Sequence, residues 1–159
     1  VRRSAPNLVS QGITTVVVNQ DGRSPWPVAD QRRQLETNGI GPNAMLLVGH
    51  GTVRRRVMGD VVRRPARADE IEKMRALVRQ ALQEGAVGLS AGLEYDPGRW
   101  STTDEVVELA RELPAVDGVY ISHERSEGSD PQWYVPSQDG PIAPTLLDLT
   151  MTSPNESTL

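Results

Sequence analysis

Four short apolar runs at near-regular intervals constrain this chain more than any other feature. They are Ile13-Thr-Thr-Val-Val-Val18, Ala44-Met-Leu-Leu-Val-Gly49, Ala86-Val-Gly-Leu-Ser-Ala91 and Gly118-Val-Tyr-Ile-Ser122. The starts at 13, 44, 86 and 118 are 31, 42 and 32 residues apart. The first run is continuously apolar or β-branched without polar alternation, the pattern of a strand buried on both faces, as parallel strands are. The spacing is that of successive βα units, and four such units in series form one parallel sheet with right-handed crossovers. No GxGxxG follows the first run, so a dinucleotide-binding fold has no support. The expected class is α/β, about four βα units of a (β/α)8 TIM-like barrel. Half a barrel leaves two sheet edges open and the interior half filled, which predicts a fragment of a larger protein.

The intervening stretches supply the helices. Asn7 to Gly12 reads as a helix end, and Val28 to Thr37 as a short helix closed by Asn38-Gly39. Asp69 to Glu84 is the clearest one, with Ile71, Met74, Leu77, Val78, Ala81 and Leu82 on one stripe and Gly85 as its cap. Thr102 with Glu105 forms a capping-box pattern for a helix running to Leu113 and stopped by Pro114. The arginines at 54, 55, 56, 63, 64 and 67 read as a solvated basic connection. The Arg23-Ser-Pro-Trp-Pro27 loop reads as one that lines the mouth of a site.

The totals narrow the function classes. A chain of 159 residues holds one ordinary domain. A net charge of -4 gives no reason to expect nucleic acid or an anionic membrane as partner. No apolar run is long enough to span a bilayer. Cysteine is absent, which removes disulfides and thiolate chemistry and fits a cytoplasmic protein. The chain opens on Val1-Arg-Arg, and its last ten residues are polar with Pro154 and no period. The expected division is a partial barrel domain over 1–149 and a disordered or non-native tail over 150–159.

In a parallel barrel, functional residues lie at the C-terminal strand ends. Those ends carry Asn19, Gln20 and Asp21; then His50; then Glu94 and Tyr95; then His123, Glu124 and Arg125. The chain has two histidines, and both fall at strand ends. Imidazole and carboxylate together suit zinc or a similar divalent ion. The plainer alternative is a strand-end histidine that caps a carbonyl or packs the rim, and the pattern leaves both open.

Four of these stretches resemble the D-aminoacylase (N-acyl-D-amino-acid deacylase) group of the amidohydrolase superfamily. They are Gln11-Gly-Ile-Thr-Thr-Val-Val-Val18; Leu47-Val-Gly-His-Gly-Thr52 with Val57-Met-Gly59; Gly85-Ala-Val-Gly-Leu-Ser-Ala-Gly-Leu-Glu-Tyr-Asp-Pro-Gly98; and Tyr120-Ile-Ser-His-Glu-Arg-Ser-Glu127. They occur in the family's order. The resemblance implies a distorted (β/α)8 barrel with a small β-sandwich domain, and zinc-assisted hydrolysis of an amide with one ion or two. It puts His123 on the strand-end zinc-ligand histidine. Asp21 falls where the deacylases place a metal-ligand cysteine, a hard oxygen for a soft sulfur. Tyr95 falls on the tyrosine of the Gly-Leu-x-Tyr run, beside the substrate. His50 lies in the Gly-His-Gly-Thr run as a substrate-binding candidate. Arg125 is a candidate for the substrate carboxylate or for an ion pair with Glu124 or Glu127. The family's His-x-His pair, its second downstream histidine and its catalytic aspartate have no counterpart here, and the match ends after Leu149.

The function this resemblance implies is metal-dependent hydrolysis of a C–N amide bond in a small molecule, an N-acyl-D-amino acid, with this chain an incomplete and inactive piece. The alternatives are a cyclic-amide hydrolase related to dihydroorotase, and a non-catalytic barrel fragment that self-associates through exposed sheet edges.

Overall fold

A computed structural model describes residues 3–125. The expected tail at 150–159 and the last two residues of the last matching run lie outside them. After α1 (Pro6–Val9) come β1 (Thr15–Val18), α2 (Val28–Asn38), β2 (Asn43–Gly49), α3 (His50–Met58), α4 (Ala68–Gln83), β3 (Gly88–Gly92), α5 (Thr103–Ala110) and β4 (Val119–His123). The strands form one sheet in the order β1-β2-β3-β4, every pair parallel. This is half of an eight-stranded barrel, with β1 and β4 at the edges of the described sheet.

The helices cover one face of that sheet. Leu46, Val48, Leu89, Ala91 and Tyr120 share a core with Val53, Met74, Val78, Ala81, Val106 and Leu109. The α4 stripe supplies Met74, Val78, Ala81 and Leu82. Burying a side chain such as Met74 stabilises by roughly 1.5–3 kcal/mol. On the opposite face Met45, Val119 and Ile121 are exposed, as expected of a barrel interior that four strands alone do not enclose. Among the described residues no helix is long and apolar enough to cross a membrane.

Three local expectations are corrected or sharpened. The basic stretch after the second strand is not a solvated connection at its start: His50–Met58 is a helix, and Arg54 within it is fully buried. In the Arg23–Pro27 loop it is Arg23, not Trp26, that lines a cleft. Trp26 packs against the core with the Arg56 guanidinium 5.2 Å above its ring. The fifth helix ends at Ala110, and Leu113–Val116 forms a separate 3-10 turn because Pro114 has no N–H to continue the ladder. Thr102 caps that helix as expected, accepting from the Glu105 N–H at 3.0 Å. The Glu105 side chain, however, turns away to His50 and Arg54 instead of closing the box.

Candidate active site

The turn after β1 does most of the positioning. Asn19, Asp21 and Gly22 all have positive φ (74, 59 and 73°), a conformation that non-glycine residues adopt only when their surroundings hold them there. Hydrogen bonds to β2, α2 and β3 supply that hold. Asn19 Nδ2 donates to Leu47 O at 2.9 Å and to Gln31 at 2.8 Å. Ser90 Oγ donates to Asn19 O at 2.6 Å and accepts from the Gly22 N–H at 3.2 Å. The turn lies directly on the ends of β2 and β3. A Cβ on Gly49 would stand 2.5 Å from Gly22 O, and one on Gly92 2.4 Å from Asp21 O. Only glycines at these strand ends let the turn cross two strands and bring Asp21 beside β4.

β4 meets it there. Register pairs Gly92 with His123, so the exit loop of β3 leaves next to the histidine. Glu94 Oε2 lies 2.7 Å from His123 Nε2. Tyr95 Oη lies 3.0 Å from Nδ1, the two rings tilted at 53° with centroids 4.6 Å apart. Asp21 Oδ1 is 3.5 Å from Nδ1. With Nε2–H donating to Glu94, Nδ1 can accept from the Tyr95 O–H, with Asp21 close by. Asp21, Glu94 and Tyr95, with Arg23, Asp96 and Arg99, line a cleft of about 790 Å³.

The donor set fits a metal only in part. Two ligands on one tetrahedral zinc stand roughly 3.4 Å apart, which matches the separation of Asp21 Oδ1 and His123 Nδ1. A carboxylate on the other ring nitrogen is the usual support for a metal-binding histidine, and Glu94 occupies that place. Among the described residues, though, no group of three or more histidine, cysteine, aspartate or glutamate side chains converges on one point. The spacing of Asp21 and His123 suits two ligands of one ion, but the described residues do not make a complete metal site.

The other two candidates do not line the cleft. His50 is the first residue of α3 and fully buried, its Nε2 2.8 Å from Glu105. That geometry matches the packing alternative, not a rim position open to substrate. Burial pushes the Glu105 carboxyl up, but His50 and Arg54 outweigh it and hold its pKa below the ordinary value. Arg54 also donates to the carbonyls of Val62, Arg64 and Trp100. Arg125 is buried as well, donating to Ser101 O at 2.7 Å and to Arg99 O at 3.4 Å.

No family model matches the chain. Among curated proteins it is 35% identical over 150 residues to a D-aminoacylase of Alcaligenes xylosoxydans xylosoxydans, covering 80% of this chain and 31% of that protein. It is 34% identical over 143 residues to an N-acyl-D-aspartate deacylase of the same organism, covering 75% and 28%. Its homologues are the D-aminoacylases and related deacylases. The solved structures agree with this. A D-aminoacylase studied for its binuclear metal centre superposes with a TM-score of 0.72 at 36% identity, over 80% of this chain and 31% of that one. An N-acyl-D-glutamate deacylase from Bordetella bronchiseptica, complexed with zinc and a phosphonate mimic of the tetrahedral intermediate, gives 0.73 at 31% identity, over 79% and 31%. The chain thus spans about a third of the length of the deacylases it matches.

Proposed function

We propose that this chain carries part of the active site of a metal-dependent deacylase that hydrolyses the amide bond of small N-acyl-D-amino acids. The observation that supports this reading is the convergence of Asp21, Glu94, Tyr95 and His123 at the C-terminal ends of three strands, in a chain similar to deacylases whose solved structures include metal centres. Asp21 and the Nδ1 of His123 would hold zinc, with Glu94 fixing the imidazole tautomer. The remaining ligands come from outside residues 3–125. A bound zinc would polarise the scissile carbonyl and acidify a water. Tyr95 would donate its O–H to the oxyanion that develops as the carbonyl carbon becomes tetrahedral. Absence of cysteine supports the cytoplasm as the working compartment.

The experiment is zinc content of the purified chain by elemental analysis, compared with His123→Ala and paired with an assay for amino acid released from N-acetyl-D-amino acids. Stoichiometric zinc that disappears in the variant supports the reading. Absence of zinc from the folded chain at micromolar metal would show that Asp21 and His123 do not hold the ion without the remaining ligands. Zinc retained by His123→Ala would move the metal elsewhere and reject His123 as ligand.

A further inference from the structure

We propose that Arg125 is a positioning residue that fastens the Glu94–Tyr95 loop to the strand bearing His123. The use of that pair in catalysis rests on the deacylase reading; the fastening itself does not. The loop leaving β3 is tied to β4 at both ends. At its start, Leu93 N–H donates to His123 O at 2.8 Å. Inside it, Arg99 N–H donates to Tyr95 O at 2.8 Å, and Ser101 Oγ donates to Gly98 O at 2.6 Å. At its far end the carbonyls of Arg99 and Ser101 accept from the Arg125 guanidinium. Arg125 stands two residues after His123, so one short segment of chain grips both ends of the loop that carries two of the partners of its own histidine.

The chemistry of the side chain suits this task. A guanidinium presents donors in a planar fork and serves two acceptors at once. Arg125 is 5% exposed, and Ser101 beneath it is fully buried. The Arg99 carbonyl lies within the 3-10 turn Gly98–Trp100 and the Ser101 carbonyl at its C-cap, and both accept from Arg125. A buried carbonyl left without a donor is costly, so the loop closes where Arg125 reaches it. Arg54 assists from the other side at Trp100 O.

The test uses NMR on the full 159-residue chain. Tyr95 and His123 ring protons should give a nuclear Overhauser cross-peak, because their centroids are 4.6 Å apart. In Arg125→Met the expected result is loss of that cross-peak, with the signals of His50 and Tyr120 kept in place. Arg125→Lys, whose compact head serves one carbonyl at a time, should show it weakened but present. The same cross-peak at full strength in folded Arg125→Met overturns the proposal, as does its absence from the unmodified chain. Collapse of the His50 and Tyr120 signals in both variants also overturns it, by making Arg125 a general core residue. Zinc content of the same samples separates the two readings. Loss of the ring contact in a series that never binds zinc would keep the positioning role and reject His123 as a zinc ligand within this chain.

Discussion

Asp21 Oδ1 and His123 Nδ1 lie 3.5 Å apart although β2 and β3 separate their strands in the sheet. The turn that carries Asp21 spans that gap by resting its backbone on glycines 49 and 92. The first consequence concerns those glycines. Gly92→Ala should destabilise the fold by roughly 1–3 kcal/mol, since its Cβ would meet Asp21 O at 2.4 Å and main chain has to move. Urea unfolding checks the stability. The same variant should bind zinc more weakly than the parent, because Asp21 is the residue displaced.

As a metal ligand in the proposed site, Asp21 would also bias which ion is preferred. Replacing it by cysteine puts a soft thiolate where a hard carboxylate stands. Asp21→Cys loaded with cobalt(II) should show a thiolate-to-metal charge-transfer band in the near ultraviolet that the parent lacks. A cobalt spectrum identical to the parent's would mean that residue 21 does not touch the ion.

The buried cluster of His50, Arg54 and Glu105 predicts a stability effect unconnected with the cleft. All three side chains are fully buried. Removing one partner strands an uncompensated charge, so Glu105→Leu should cost about 3–5 kcal/mol. Glu105→Leu combined with Arg54→Met should cost clearly less than the sum of the single changes, because the stranded charge is gone. Additive costs in denaturant unfolding would show that the pair is not coupled.

Acid should weaken the start of α4. Glu70 accepts two hydrogen bonds from Arg64, at 2.8 and 2.6 Å, and one from the Arg67 N–H at 2.8 Å. The Arg64 bonds hold its carboxyl down from the ordinary 4.5 to about 2. A carboxyl depressed in the folded state contributes stability that is fully present above pH 4.5 and is lost as pH falls through about 2. Its partner arginines reach solvent, so the contribution is about 1–2 kcal/mol after screening. Unfolding free energies measured from pH 5 to pH 2 should fall less steeply in Glu70→Gln than in the parent.

By itself the sequence determined the frame. Runs of Val, Ile and Leu at βα spacing set four parallel strands, the stripe through Met74 and Val78 set the longest helix, and Thr102 marked the start of the fifth. These are local properties, fixed by side-chain period and by caps within a few residues. His123 and Tyr95 were legible for the same reason, since a strand end is a local feature. Tertiary structure decided the partners. Glu94 was visible as one carboxylate among several near strand ends, and only the Gly92–His123 register put it on Nε2. His50 and Arg54 carry polar side chains that composition assigns to the surface. Glu105, 55 residues away from His50 in the chain, supplies the charge that lets both be buried. Asp21 reaches His123 because glycine backbones permit contact closer than any side chain would, and no pattern in the sequence states that distance.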